Sequence, residues 1–196
     1  AGIVRAGSFA VAGSGVLSIT DTGSVAATVL SAIGAKTGGV VTCSGALTIT
    51  GTTAEITDAL VTTNSKVLAS SANVTFSDDP TGAELAAINP KTSGTITLND
   101  TAQNFSGTAT QLAAAFDGFG TNALTGTITI TGAAPSPSEL KTISDATSGA
   151  ITLPSTNFTL SGTSSDLADA LSGNFSNYAG NVTLTDNPIH AQLGTI

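Results

Sequence analysis

Apolar and hydroxyl-bearing residues alternate in many short segments of this chain. The segments GTITLN, LTIT, TGTITIT and NVTLTD place Ile, Leu or Val at every second position, with Thr mostly between them. A period of two is typical of a β-strand with one apolar and one polar face, and β-branched residues suit both faces. The alternation therefore predicts a series of short strands.

Short helical patterns lie between these predicted strands. TAEITDAL, TATQLAAAF and SSDLADAL carry apolar residues four positions apart, and ELAAI and ELKTI carry them three apart, so each has one stripe for burial. A hydroxyl residue stands three positions before an acidic or amide residue at each start, which is the spacing of a capping box. The predicted pairs are Thr52 with Glu55, Thr81 with Glu84, Thr108 with Gln111, Ser136 with Glu139, and Thr163 with Asp166.

Glycines follow three of the helical segments. The stretches TGG at 37–39, TSG at 92–94 and TSG at 147–149 occupy matching places. Glycine commonly ends a helix by adopting the left-handed conformation. We therefore predict left-handed glycine stops at these three places.

The chain repeats itself at a spacing of 55 residues, which is the distance between Ile33, Ile88 and Ile143. The register continues to the closing positions Val74, Ile128 and Val182 with small insertions and deletions. Such self-similarity predicts a repeat architecture. We interpret 25–81, 82–136 and 137–187 as repeats 1, 2 and 3. Residues 1–24 would end a preceding repeat and 188–196 begin a next one, in one continuous array that is a segment of a longer protein.

Each unit of about 55 residues is predicted to contain a strand, a short strand, a helix, a strand and a helix. Strands joined through helices pair in parallel, and stacked units bury what one unit cannot. The prediction is a repeat solenoid of mixed α/β type, a parallel-sheet β-solenoid with short helices. Strand starts near 95, 126 and 150 predict coils of about 31 and 24 residues. The alternative is tandem β-sandwich modules, which need hairpin turns.

Composition excludes several classes of function. Only 9% of the residues are charged and 4% aromatic, far from an average enzyme. The net charge of −8 without any basic cluster disfavours nucleic acid as a partner. The apolar runs are too short for a membrane span, and a single cysteine, Cys43, excludes an internal disulfide framework.

The stretches ELKTISDATSGAITL, SSDLADALSG and YAGNVTLTDN resemble the repeat regions of giant bacterial cell-surface proteins, particularly those of cyanobacteria. The resemblance lies in composition and period, and covers nearly the whole chain from Val16 onward. It implies an extracellular structural or adhesive role and no catalytic residues. We expect a non-enzymatic repeat of a surface-layer, filament or adhesin protein that acts by stacking and self-association. The alternatives are a ligand-binding solenoid for carbohydrate or ice, and a phage fibre segment.

Acidic residues after predicted strands form the one candidate site. Carboxylates lined up along an edge could hold Ca²⁺ together with backbone carbonyls. The middle repeat has Gly132 at the equivalent position, so stabilisation of turns is the favoured role. The candidate calcium ligands are Asp21, Asp78, Asp79, Asp100 and Asp186.

Two other reactive side chains occur once each. Cys43 shares the register of Leu98 and Leu153, which predicts a small core residue. His190 is the one histidine, so neither a catalytic triad nor a histidine-based metal site is expected.

Overall fold

A computed structural model describes residues 16–20, 22–43, 47–62, 65–155, 157–175 and 178–187. Within these residues the chain forms six α-helices, one 3-10 turn at Asn89–Lys91 and twelve short strands. The helices are α1 (Ala27–Lys36), α2 (Thr53–Leu60), α3 (Gly82–Ile88), α4 (Ala109–Phe116), α5 (Pro137–Ala146) and α6 (Ser164–Ala170). The strands are β1 (Leu17–Ile19), β2 (Ser24–Ala26), β3 (Val41–Cys43), β4 (Thr48–Gly51), β5 (Val67–Leu68), β6 (Asn73–Phe76), β7 (Ile96–Thr97), β8 (Phe105–Thr108), β9 (Ile128–Thr131), β10 (Ile151–Thr152), β11 (Leu160–Gly162) and β12 (Val182–Leu184).

The mixed α/β class with parallel sheets is confirmed. Every strand pairing in the described residues is parallel, as expected for strands connected through helices. The tandem β-sandwich alternative would require antiparallel pairs. The chain divides into two compact units, Ala1–Pro80 with Ala87–Asp100, and Thr81–Ala86 with Thr101–Ile196.

The first unit contains a four-stranded sheet with the order β2-β4-β6-β7 and a three-stranded sheet with the order β1-β3-β5. In the larger sheet Val25, Ile49, Val74 and Ile96 lie in one register row. Ile49 and Val74 are completely buried. Because side chains alternate along a strand, the neighbouring row lies on the opposite face and consists of Ala26, Thr50, Thr75 and Thr97. Helices α1 and α2 pack against each other.

The second unit contains the sheet β10-β9-β8 and the pair β11-β12. Phe105, Ile128 and Ile151 form a buried row, which an isolated bridge extends to Phe175. Helix α5 packs against both α4 and α6. The ring of Phe116 meets Phe105 edge to face with centroids 5.1 Å apart, a favoured aromatic geometry.

Neighbouring strands pair at a step close to the predicted coil of about 24 residues. Val25 pairs with Ile49 and Ile49 with Val74, and Phe105 pairs with Ile128 and Ile128 with Ile151. The predicted coil of about 31 residues is wrong, because Phe105 occupies the place before Ile128. A 55-residue match spans two passes through a strand and a helix, so it does not specify which strands become neighbours.

The three predicted helix stops are built by threonine rather than by a left-handed glycine. Thr37, Thr92 and Thr147 follow the helical segments in extended conformations. Each hydroxyl accepts a hydrogen bond from the glycine N–H two residues later, at 3.1, 2.9 and 2.9 Å respectively. Among the described residues a positive φ occurs at Gly118, Gly132 and Asn122. The left-handed prediction for 37–39, 92–94 and 147–149 is therefore wrong.

Close approach of neighbouring backbones explains the glycines instead. A Cβ atom on Gly94 would lie 2.2 Å from the carbonyl oxygen of Ala72, and one on Gly149 would lie 2.0 Å from that of Gly126. Neither distance is compatible with van der Waals contact between carbon and oxygen. Only glycine fits where one turn of chain crosses the next so closely.

Candidate functional site

All five predicted hydroxyl caps are confirmed, and four of them are complete capping boxes. The Thr52 hydroxyl accepts from the Glu55 N–H at 3.3 Å, and the Glu55 carboxylate accepts from the Thr52 N–H at 2.8 Å. The same reciprocal bonds join Thr81 with Glu84, Thr108 with Gln111, and Ser136 with Glu139. At α6 the Thr163 hydroxyl accepts from the Asp166 N–H at 3.2 Å and donates to its carboxylate at 2.7 Å.

Two of the candidate calcium ligands accept hydrogen bonds from the first residue of a helix, although Asp186 is exposed and Asp78 only half-buried. One Asp78 carboxylate oxygen accepts from both the N–H and the hydroxyl of Thr53, at 2.7 Å each. The carboxylate of Asp186 accepts from the N–H of Ser164 at 2.9 Å and from its hydroxyl at 2.8 Å. Thr53 and Ser164 are the first residues of α2 and α6, where backbone N–H groups lack an intrahelical acceptor.

These carboxylates act as clamps between segments distant along the chain. Asp78 lies 25 positions after Thr53, and Asp186 lies 22 positions after Ser164. Each clamp joins the turn after one strand, β6 or β12, to the helix that follows the neighbouring strand of the same sheet, β4 or β11. The bonds from Ser164 lower the pKa of Asp186, its hydroxyl contributing most and its N–H next.

The sequence prediction missed the hydroxyl partners of these carboxylates. The sequence contains a signal for this pairing. The helices that begin with Thr53 and Ser164 are each followed by a closing strand, β6 or β12, and an aspartate comes shortly after that strand ends. The helix α4 begins with Ala109, and the equivalent closing position is Gly132. The hydroxyl and the carboxylate are therefore present together or absent together.

Asp79 and Asp100, the other described candidates, form no metal-binding group with these two carboxylates. One Asp79 carboxylate oxygen accepts from the Asn99 side-chain amide at 3.1 Å. Asp100 is engaged in an interaction of its own, and Asp21 lies outside the described residues. Where the structure describes the chain, no three His, Cys, Asp or Glu residues are arranged to hold a metal ion. Calcium binding by these aspartates stays a prediction.

A small ion-pair network connects α5 and α6. Lys141 lies 3.1 Å from Asp145 and 3.3 Å from Asp169, and all three side chains are about half exposed. Hydrogen bonding to Asp145, and then to Asp169, raises the pKa of Lys141. Exposed pairs of this kind stabilise a fold only slightly.

Cys43 is a buried thiol in β3. Its residue is only 3% exposed, and desolvation raises the pKa of the thiol. A buried thiol with a raised pKa is a poor nucleophile, in agreement with the predicted core role. His190 lies outside the described residues.

Comparisons with known proteins found no match among protein-family models, curated proteins or solved structures. Among the described residues there is no helix with the length and apolarity that crossing a membrane requires.

Proposed function

We propose that this chain is a non-enzymatic structural repeat of an extracellular surface-layer, filament or adhesin protein, and that its parallel sheets stack as a solenoid. One observation carries the proposal: two of the five candidate calcium ligands, and a buried threonine hydroxyl, join segments that are distant along the chain. Asp78 and Asp186 bond to helix starts in the preceding segment. Thr147 in turn donates to the carbonyl oxygens of Leu124 and Gly126.

The distribution of charge supports the same role. None of the twelve described strands contains a charged residue. Soluble proteins usually protect sheet edges with charged side chains, because bare edges pair with other chains. A chain whose task is to continue or associate through its sheets has no need of this protection. The resemblance to cell-surface repeats supports a location outside the cell.

Fibre diffraction and electron microscopy test the two parts of this proposal separately. Filaments or sheets formed by the concentrated chain should, when aligned, diffract at about 4.8 Å along their long axis, the spacing of stacked strands. Immunogold labelling of producing cells should mark their surface. Assemblies without the axial reflection would contradict the solenoid. A chain that neither assembles nor labels the surface would contradict the structural role.

A second candidate function, binding of a neutral ligand such as carbohydrate or ice, is favoured by one hydroxyl row. Ser106, Thr129 and Thr152 lie in register on three neighbouring strands, and all three are exposed. Inhibition of ice recrystallisation, or retention on insoluble polysaccharide, would support this candidate if Thr129→Lys abolishes it. Equal retention of the variant would count against the row.

A further inference from the structure

Strand β12 uses only one of its two sides in the described residues. On that side Leu160 donates to the carbonyl of Asn181 at 2.9 Å, and Thr185 donates to that of Gly162 at 3.0 Å. In a parallel pair alternate residues of a strand face opposite sides, so the N–H groups of Val182 and Leu184 point away from β11. No described strand pairs with that outer side.

Three other strands occupy the same position of the sequence repeat, and each has this side covered. Strand β3 covers β1, β7 covers β6, and β10 covers β9. The donors at the position of Val182 are Leu17, Val74 and Ile128, which bond to the carbonyls of Val40, Thr95 and Ala150 at 2.9 Å in every case. The chain has thus built the same interface three times.

The covering segments share one short pattern. They are Gly-Val-Val-Thr at 39–42, Gly-Thr-Ile-Thr at 94–97 and Gly-Ala-Ile-Thr at 149–152. The second residue supplies the accepting carbonyl, and the aliphatic residue pairs with Leu17, Val74 or Ile128. The threonine pairs with a hydroxyl residue of the covered strand. No position of this pattern carries a charge.

We propose that the outer side of β12 is an acceptor site for an extended segment of the pattern Gly-x-(Val/Ile)-Thr, added in parallel. The Val182 N–H donates to the carbonyl of the residue before the aliphatic one. Val182-Thr183-Leu184 repeats the alternation of Val74-Thr75-Phe76, so the same type of segment fits. The proposed site binds a strand, and this binding does not depend on the extracellular location proposed above.

Nuclear magnetic resonance of the full ¹⁵N-labelled chain tests the proposal with a peptide of its own sequence. The probe is the peptide of residues 92–98, Thr-Ser-Gly-Thr-Ile-Thr-Leu, titrated to millimolar concentration. We expect saturable shifts of the Val182 and Leu184 amides. In the proposed pairing the backbone N–H of Thr97 in the peptide donates to the Val182 carbonyl. A peptide methylated on this nitrogen cannot form that bond, so it should bind about tenfold more weakly.

A matched variant tests the protein side of the same bond. Val182→Pro removes the outward N–H but none of the bonds to β11, and proline is tolerated at such an edge position. Its binding of the unmodified peptide should fall by about tenfold, with amide shifts elsewhere unchanged. If the variant does not fold, the methylated peptide still decides.

Three results would overturn the assignment. The first is no shift at Val182 and Leu184 with the unmodified peptide. The second is equal binding of the methylated peptide. The third is a change of these amides on dilution without peptide, because a second folded copy would then be the occupant.

Discussion

Replacing Gly149 by alanine tests the close approach of backbones that sets the spacing in the second unit. The new Cβ would lie 2.0 Å from the Gly126 oxygen and 2.7 Å from its carbonyl carbon. The two backbones must therefore separate by more than about 1 Å to restore van der Waals contact. That movement strains two neighbouring bonds, Ser148 N–H to Leu124 at 3.0 Å and Ile128 N–H to Ala150 at 2.9 Å.

The expected cost combines overpacking with weakened hydrogen bonds. Overpacking costs about 1–3 kcal/mol, and two backbone bonds contribute about 1–3 kcal/mol in total. Gly149→Ala should therefore lower the free energy of unfolding by about 2–6 kcal/mol. Urea unfolding followed by far-ultraviolet circular dichroism measures this, since the chain contains no tryptophan.

Two further variants identify the cause of the loss. A Cβ atom on Gly120 would have nothing within 4 Å, and the φ of this glycine is not left-handed, so Gly120→Ala should change stability by about 1 kcal/mol at most. Asparagine tolerates the left-handed conformation better than alanine, so Gly149→Asn would be the milder change if Gly149 were a left-handed stop. An asparagine variant clearly more stable than the alanine variant, or an alanine variant equal to Gly120→Ala, would refute the reasoning.

Three other outcomes follow from the caps, the clamps and the core. The lowered pKa of Asp186 means that its contribution to stability is complete above the ordinary aspartate pKa and is lost as the pH falls through the lowered value. The urea midpoint of Asp186→Asn should therefore lie below that of the parent at neutral pH and meet it in acid; a gap independent of pH would contradict the clamp. Thr108→Val should cost about 1 kcal/mol through the lost cap of α4, measured by urea unfolding. The matched exposed variant Thr131→Val should cost less than about 0.5 kcal/mol, and equal losses would contradict the cap. Cys43 should react with a thiol reagent only in denaturant, because it is buried and its pKa is raised; rapid labelling of the folded chain would show an accessible thiol.

Local features of this fold could be predicted well from the sequence. The bounds of α2 match the segment TAEITDAL, and the predicted pair of Thr52 and Glu55 forms its cap. A cap depends on two side chains three residues apart, so nearby sequence contains nearly all of the relevant physics. The parallel pairing followed in the same way from strands that alternate with helices.

The non-local features could not be predicted in this way. Whether Ile128 pairs with Phe105 depends on the path of the whole intervening chain. Sequence similarity at a spacing of 55 residues contains no information about that path. Gly149 matched a helix stop equally well in the sequence. The nearby carbonyl of Gly126, which excludes a side chain, becomes a neighbour only after folding.

The three repeats allow the structural role of Asp78 and Asp186 to be compared with a chemical one. A catalytic carboxylate must contact its substrate, and a metal-binding carboxylate must contact its ion. Neither contact requires a hydroxyl residue at the start of a helix more than twenty positions earlier. In this chain Asp78 occurs with Thr53 and Asp186 with Ser164, and each pair is joined by two hydrogen bonds. Where Ala109 removes the hydroxyl, the aspartate is absent as well. Loss of the hydroxyl and the carboxylate together is what a structural hydrogen bond between them predicts. A carboxylate without its hydroxyl partner would add charge at the surface with fewer hydrogen bonds to hold it.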